Sequence, residues 1–351
     1  FNARAEVDRY LLLHHCRERL DAGEPQASIA ADIPLAADNP WLESRRGRLL
    51  FELARQAERE GNTNLALQAY EQSRHREARL RRLRLLERQG QREMAWQQAE
   101  QAADSPRNDA EVQGLKRLMA RLARKLDRPL PAPQPRPEIP RFHLTLDNPS
   151  GHSVEWCTKA HLDTPTTPVA YVENTLITGL FGLLCWPAIF APVPGAFFHP
   201  FQSGPVDLYR EDFLNRREQN FADCLAQLHN GSYRDVIRAT WRQKYRIVSP
   251  FVVWPALSEP VLDLALACIP AAHLELLFQR LMADLRIHRS GFPDLIRFDP
   301  DHEDPARRYE MIEVKGPGDR LQDHQTRWLE YCVDQGIPVS VCYVRWQETS
   351  P

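Results

Sequence analysis

Apolar and polar positions follow one pattern up to about residue 130 and a different pattern after about residue 142. The first part has few runs typical of strands and is dense in Ala, Leu, Arg, Glu and Gln, which favour helices. The second part is richer in aromatic and β-branched residues, and short apolar runs lie between amphipathic segments. The pattern predicts an all-α region followed by a mixed α/β region.

A pattern of helix, glycine turn and helix occurs twice in the all-α region. The segment LARQAEREGNTNLALQAYEQS resembles LRLLERQGQREMAWQQAEQA, and Gly61 and Gly90 align 29 residues apart. Such helix pairs bury their apolar faces only by stacking, as in tetratricopeptide repeats, whose period is about 34 residues. We therefore predict tetratricopeptide-like repeats over residues 46–130, preceded by a separate helical segment over residues 1–45.

Proline marks the boundary between the two regions. Residues 127–142 read DRPLPAPQPRPEIPRF, with six prolines between Pro129 and Pro140. Proline lacks a donor and cannot continue a helix, so this segment predicts an extended linker. A second domain is then expected over residues 143–351.

Composition narrows the possible partners and compartment. The net charge is -2 and the pI is near 6.7, so nucleic-acid binding would have to come from local patches. Seven cysteines without a CxxC pair indicate reduced thiols in an intracellular, non-secreted protein. The apolar run LITGLFGLLCWPAIFAPV is interrupted by Pro187 and Pro192, which favours a buried core helix over a membrane span. The sequence opens without Met, so we expect segments upstream of it.

Arginine is concentrated in one short segment of the all-α region. Residues 74–92 contain eight arginines and two glutamates. Helical periodicity places Arg81, Arg84 and Arg88 on one side and three leucines on another. The segment therefore predicts DNA contact through a positive helix face, and a solvated face without a ligand is the alternative.

The C-terminal segment predicts strand, strand, helix and strand in that order. The strands are DLIRF, YEMIEVKG and PVSVCYV, and a polar loop, DPDHEDPARR, joins the first two. We expect Asp319 to cap the helix, with Gln322 three residues later, and Gly336 to end it.

Two acids and one lysine lie on these strands. Glu313 and Lys315 share one face because strand side chains alternate, and a hairpin would bring Asp294 beside Glu313. Clustered carboxylates bind hard cations such as Mg²⁺, and a lysine beside them can orient water and stabilise charge on phosphorus. The pattern indicates phosphodiester hydrolysis, and the alternative is a hairpin with its charges in solvent.

A third carboxylate occurs far upstream, in YVENTLITGLFGLLCW. On a helix, Glu173 would share a face with Ile177, Leu180 and Leu184, so its charge would interrupt an apolar stripe. Buried carboxylates need a partner such as a metal. The alternative is a glutamate at an exposed N-terminal turn, favoured by the helix dipole.

These motifs carry a resemblance to a known family. GFPDLIRF, MIEVKGPGDRLQDHQTRWLEY and VSVCYV resemble the virus-type replication-repair nuclease (VRR-NUC) domain of the PD-(D/E)XK superfamily. YVENTLITGLFGLLCWPAIF and FHPFQSGPVDLYREDF resemble the Fanconi-associated nuclease family in particular. The resemblance implies an α+β multidomain protein, with all-α helical repeats followed by a PD-(D/E)XK nuclease core with a mixed sheet over residues 143–351.

The resemblance also implies roles for the residues singled out above. Asp294 and Glu313 match metal ligands, Lys315 matches the catalytic lysine, and Glu173 matches the helical glutamate that completes the metal site. The backbone carbonyl of Val314 is a further candidate ligand. One or two Mg²⁺ or Mn²⁺ ions are expected.

Three residues after the motif, Arg320, His324 and Gln325, are candidates for phosphate contact or for support of the metal ligands. The implied activity is structure-specific cleavage near 5′ flaps in branched or nicked duplex DNA, with trimming in the 5′ to 3′ direction, in interstrand crosslink repair. The expected location is the cytoplasm and nucleoid of a bacterium or the nucleus of a eukaryote. No ubiquitin-binding zinc finger or SAP-type segment is recognised, which suggests a bacterial or truncated member.

Two alternatives from other classes stay open. A dimeric restriction or Holliday-junction-resolving endonuclease of the same superfamily would act on symmetric DNA. A non-catalytic repeat scaffold would carry a degenerate nuclease fold, although the presence of all four expected catalytic residues argues against decay.

Overall fold

The computed structural model describes residues 3–36, 38–129, 136–147, 151–210 and 212–347. The chain divides into two compact units, Phe1–Pro133 and Gln134–Pro351. Part of the predicted linker, residues 130–135, lies outside the described residues. Its last two residues, Arg141 and Phe142, already belong to a strand.

The first unit is all-α in its described residues. Asn39 caps the third helix by accepting hydrogen bonds from two N–H groups of its first turn, and this helix crosses the boundary predicted at residue 45. The helices are α1 (Arg4–Asp21), α2 (Gln26–Asp32), α3 (Pro40–Arg59), α4 (Thr63–Gln72), α5 (Ala78–Arg88), α6 (Arg92–Asp104) and α7 (Asp109–Leu126).

The repeated helix pairs predicted from the sequence are present. α3 and α4 turn at Gly61, and α5 and α6 turn at Gly90. α5 lies between two apolar clusters, because Leu85 is buried with α1–α4 while Leu83 and Leu86 are buried with α6 and α7. α5 therefore contributes to the apolar clusters of both helix pairs, and the tetratricopeptide-like character of the repeats stays a prediction.

The second unit is built on a mixed five-stranded sheet, which confirms the predicted α+β class. The strand order is β1-β5-β4-β3-β2; β1, β5 and β4 are parallel, and β4-β3 and β3-β2 are antiparallel. The strands are β1 (Arg141–Leu146), β2 (Val169–Tyr171), β3 (Leu295–Phe298), β4 (Tyr309–Lys315) and β5 (Val339–Trp346).

Helices cover both faces of this sheet. On one face, Cys157 packs with Ile312 and Val314, and on the other Trp328 belongs to the larger core that contains Met311. The helices are α8 (Val154–Leu162), α9 (Leu176–Leu184), α10 (Trp186–Ile189), α11 (Glu218–Asn230), α12 (Tyr233–Lys244), α13 (Glu259–Cys268), α14 (Ala271–Ala283) and α15 (Asp323–Asp334).

The long apolar run forms the buried core predicted for it. Every residue of α9 is buried, and the run continues as the short helix α10, with Pro187 in its first turn. In the described part of the chain, no single helix is long and apolar enough to cross a membrane. Among the described helices, only α13 and α14 taken together pass that test, and they are bent by 108°.

The N-terminal cap predicted for α15 is wrong. Gln322, not Asp319, caps the helix and forms a capping box with Gln325. The Asp319 carboxylate instead accepts a hydrogen bond of 3.0 Å from the N–H of Gly316, so it closes the preceding turn. Gly336 follows the helix with a φ of 70°, as expected for a helix stop.

Candidate active site

Asp294 is held at the start of β3 by the β3-β4 hairpin. It directly precedes β3, whose first residue, Leu295, lies opposite Ile312 of β4. The Val314 N–H donates to Oδ2 of Asp294 over 2.8 Å, and the Asp294 carbonyl accepts from the Val172 N–H over 2.8 Å. These bonds fix a carboxylate that is only 7% exposed.

Glu313 and Lys315 lie on one face of β4, as strand alternation predicts. The Nζ of Lys315 is 2.7 Å from Oε1 of Glu313, and the Glu313 side chain is fully buried. Its other oxygen, Oε2, has no hydrogen-bond partner among the described residues. A buried carboxylate oxygen without a donor is costly unless a cation or another donor reaches it.

Gln325 orients Glu313 from α15. Its Nε2 donates to Oε1 of Glu313 over 2.6 Å, while its own Oε1 accepts from the Gln322 N–H over 2.9 Å. The capping box of the helix therefore sets which way the amide points. The candidate residue Gln325 therefore contacts the carboxylate of Glu313.

Burial sets the electrostatics of the two acids. Burial raises the pKa of Glu313 to about 7, with a further contribution from the Asp294 charge, although Lys315 opposes the shift. Burial likewise raises the pKa of Asp294 to about 6, against the lowering effects of the Val314 N–H and Lys315. Both carboxylates would be stabilised as anions by a nearby cation.

Glu173 does not lie on a helix, so the interpretation as a charge in a buried helical stripe is wrong. α9 begins three residues later, at Leu176, and Glu173 is exposed in the turn before it. The Tyr171 hydroxyl and, over 3.4 Å, the Asn174 amide donate to its carboxylate. Its charge still raises the pKa of both Asp294 and Glu313, so it lies at the edge of the same site.

Asn174 fixes the position of that turn and was missed by the sequence analysis. Its Oδ1 accepts from the N–H groups of Gly291 and Phe292 over 2.8 and 3.1 Å. Its φ of 53° is left-handed, a conformation that Asn tolerates better than most residues. Asn174 therefore ties the Glu173 turn to the segment that leads into Asp294.

Glu155 is a second residue that the sequence analysis missed. It lies in the first turn of α8, which Ser153 caps. Its negative charge raises the pKa of Asp294, so it lies within electrostatic range of the site. Its only sequence signal is an acid after a capping serine, which is common at helix starts.

His324 packs closely against the segment before Asp294. A Cβ at Gly291 would lie 2.7 Å from the His324 carbonyl, so this contact requires glycine. Burial lowers the pKa of His324, and the charges of Arg327 and Lys315 add to the shift. Arg320 is exposed in the segment between β4 and α15.

The chemistry of the site suits an oxygen-preferring divalent cation. In the described ranges, no three His, Cys, Asp or Glu side chains lie close enough together to hold a metal ion as they stand. However, a cation would give the unpartnered Oε2 of Glu313 a partner. It would also lower the raised pKa values of both central acids. Carboxylate oxygens are the ligands that Mg²⁺ and Mn²⁺ prefer.

The arginine-rich segment is less positive than its composition indicates. Arg81 and Arg88 both pair with Glu58 of α3, and Arg84 is exposed on α5. Arg79 likewise pairs with Glu111 of α7. The count of eight arginines and two glutamates covers this segment alone and leaves out the carboxylates that α3 and α7 supply. DNA contact by Arg81, Arg84 and Arg88 stays a prediction.

Comparisons with known proteins point to one group of nucleases. Residues 228–346 match the VRR-NUC domain. The Fanconi-associated nuclease 1 homolog of Pseudomonas aeruginosa is 51% identical over 348 residues, which cover 99% of this chain and 62% of the relative. Human Fanconi-associated nuclease 1 is 32% identical over 178 residues, which cover 49% of this chain and 17% of the relative.

A solved structure extends the similarity to the whole fold. The crystal structure of paFAN1 bound to DNA with a 2-nucleotide 5′ flap and a gap aligns with a TM-score of 0.93 and 51% identity. The alignment covers 100% of this chain and 64% of that one. The chain thus spans a little under two thirds of the length of the Pseudomonas relative and of paFAN1. Over its full length the chain is thus similar to Fanconi-associated nuclease 1 proteins, and within it residues 228–346 match the VRR-NUC domain.

Proposed function

We propose that this chain is a metal-dependent, structure-specific DNA nuclease. It hydrolyses phosphodiester bonds near 5′ flaps in branched or nicked duplex DNA, trims in the 5′ to 3′ direction and acts in interstrand crosslink repair. The observation that carries the proposal is the buried group of Asp294, Glu313 and Lys315, in which one carboxylate oxygen has no partner. The DNA named in the paFAN1 structure supports the choice of substrate.

The central acids would hold the cation. Asp294 and Glu313 are the first ligands, and Glu173 and the Val314 carbonyl complete the set. One or two Mg²⁺ or Mn²⁺ ions would supply charge neutralisation at the scissile phosphate and activation of water. The pKa of Glu313, about 7, means that cation binding displaces a proton from this site near neutral pH.

Lys315 would act on the reacting atoms. Its ammonium is 2.7 Å from Oε1 of Glu313 and only 8% exposed, so the carboxylate fixes its direction. Held there, it orients the attacking water and stabilises the negative charge that develops on the phosphate oxygens. Gln325 keeps Glu313 in place by donating to the same Oε1 atom.

The remaining candidates would contact DNA outside the reaction centre. Exposed Arg320, with His324 near Lys315, suits the phosphate next to the cut bond. The N-terminal helix pairs would form a tetratricopeptide-like scaffold, and Arg81, Arg84 and Arg88 of α5 would be its DNA contacts. The protein would act in the cytoplasm and nucleoid of a bacterium or in the nucleus of a eukaryote.

A substrate comparison tests this function. End-labelled 5′-flap DNA, intact palindromic duplex and a four-way junction are each incubated with the protein in Mg²⁺, in Mn²⁺ and in EDTA. We expect cleavage of the flap near its junction, no cleavage in EDTA and little cleavage of the other two substrates. Preferred cutting of the palindrome or the junction would instead support a dimeric restriction or junction-resolving enzyme. No cleavage of any substrate would support a scaffold.

A further inference from the structure

A row of side chains crosses three strands on the face of the sheet that carries Glu313 and Lys315. Lys315 of β4 pairs with Tyr343 of β5, and Tyr343 pairs with His143 of β1. Paired residues of parallel strands point to the same face, and neighbouring strands lie about 4.8 Å apart, so the row extends about 10 Å from Lys315. The row runs from the proposed reaction centre to the exposed edge of the sheet.

The far end of this row is aromatic. The rings of His143 and Tyr343 stack with centroids 5.6 Å apart and an angle of 25° between their planes. His143 is exposed and Tyr343 is partly exposed. The two rings therefore present a stacking surface to solvent beside the catalytic lysine.

A cavity of about 570 Å³ lies over these rings. One wall is the turn 316–319, which begins directly after Lys315. Pro317 and Gly318, with a φ of 87°, occupy the central positions of this turn, and the Asp319 N–H donates to the Gly316 carbonyl over 3.1 Å. This is the sequence and geometry of a type II turn. The cavity is therefore bounded by a defined turn that follows Lys315 directly in the chain.

The charges around the cavity favour an anion. Arg345 lines it, is exposed, and makes no hydrogen bond or ion pair with any described residue. Asp319 is the acid in the lining, but its Oδ2 faces back to the turn, where it accepts from the Gly316 N–H. A ligand with one flat aromatic face and one phosphate would match both the rings and Arg345.

We propose that His143, Tyr343 and Arg345 form a subsite for one unpaired nucleotide of the DNA, adjacent to the bond that is cut. This inference rests on the proposed nuclease function and specifies which part of the substrate the site reads. The base stacks on His143, above Tyr343, and its phosphate pairs with Arg345. Within duplex DNA both faces of a base are covered by its neighbours, so the free face required here belongs to an unpaired nucleotide.

Fluorescence of 2-aminopurine at the first unpaired flap nucleotide tests the subsite. The full chain and the variants His143→Ala and His143→Trp are titrated with this flap DNA, and with nicked duplex lacking a flap, in EDTA so that no bond is cut. His229→Ala, an exposed histidine on α11, is the matched control. The Trp variant keeps an aromatic face, so it separates stacking from a general loss of structure.

We expect the parent, the Trp variant and the control to quench the probe. His143→Ala should lose the quenching and bind flap DNA roughly tenfold more weakly, as expected for loss of one stacked base. Its affinity for nicked duplex should not change. An equal loss on both substrates, or quenching only of a probe inside the duplex, overturns the inference. Normal flap cleavage by the parent with no effect of His143→Ala refutes this subsite alone, whereas a parent that cannot cut flap DNA refutes the proposed function.

Discussion

The side-chain oxygen of Asn174 lies 2.8 Å from the main-chain N of Gly291, although 117 residues separate them along the chain. This hydrogen bond and a second one, from the Phe292 N–H, hold the turn that contains Glu173 against the segment that precedes Asp294. Asn174 is therefore a positioning residue for the acids on both sides of the site.

Replacing Asn174 by Gly keeps the left-handed backbone allowed but removes the acceptor of two N–H groups. We expect the free energy of unfolding to fall by about 1–3 kcal/mol, the usual effect of leaving a buried donor unsatisfied. Flap cleavage should also fall at a fixed Mg²⁺ concentration and recover partly at higher Mg²⁺, because Glu173 is no longer held. Urea unfolding and a metal titration of the cleavage rate measure these effects.

Arg246→Gly is the matched control for that variant. Arg246 is exposed and also has a positive φ, 65°, and its side chain contacts the Tyr245 ring, so its replacement tests the backbone effect without removing an acceptor of main-chain N–H groups. It should change neither stability nor cleavage to a comparable degree. An Asn174→Gly protein as stable and as active as this control would show that the Asn174 bridge is unimportant.

The metal-free protein should become less stable as the pH rises from 5 to 8. Burial raises the pKa of Glu313 from an ordinary value of 4.5 to about 7 in the fold. An acid whose pKa is raised in the folded state contributes stability that is fully present below pH 4.5 and is lost as the pH rises through 7. Glu313→Gln should remove most of this pH dependence and melt higher than the parent at pH 8. Thermal melts in EDTA at several pH values test this prediction. If the pKa of Glu313 is not raised in the fold, the melting temperature will depend on pH equally in the parent and in the variant.

Divalent cations should reverse this loss of stability. Mn²⁺ competes with protons for Asp294 and Glu313, so it should raise the melting temperature more at pH 8 than at pH 5. Asp294→Asn keeps the size of the side chain and should abolish most of the Mn²⁺ effect. A similar Mn²⁺ stabilisation of parent and variant would place the cation elsewhere.

Glu58 should stabilise the first unit at neutral pH and not in strong acid. Burial alone would raise its pKa, but hydrogen bonds from Tyr70, Arg81 and Arg88 outweigh burial and lower it to about 2. An acid whose pKa is lowered in the folded state contributes stability that is present above pH 4.5 and is lost as the pH falls through 2. We expect Glu58→Gln to cost about 2 kcal/mol at pH 7 and little near pH 2. Circular-dichroism melts across that range check the prediction, and a constant cost would contradict it.

The sequence predicts most of what depends on short-range patterning. The alternation at Glu313 and Lys315, the β3-β4 hairpin beside Asp294 and the paired helices around Gly61 and Gly90 all follow from periods of two and 3.6 residues. These features repeat over several positions. A single unusual residue does not mislead the prediction.

The interpretations that the structure overturns depend on contacts distant in sequence. Glu173 fits a helical period with α9, but the turn at Asn174, fixed by Gly291 from far along the chain, delays the start of the helix. The arginines of α5 look unopposed until α3 supplies Glu58. Neither partner can be identified from local spacing, because tertiary packing brings it into place.

The most direct test of the account is single-turnover cleavage of a labelled 5′-flap substrate by Lys315→Met. Methionine retains much of the length of the lysine side chain and removes its charge, so the fold and the two acids should be retained. We predict a rate at least roughly 100-fold below that of the parent at saturating Mn²⁺, the scale of losing one transition-state contact, with flap binding unchanged. A Lys315→Met protein that cuts the flap as fast as the parent would contradict the assignment of this site as the catalytic centre.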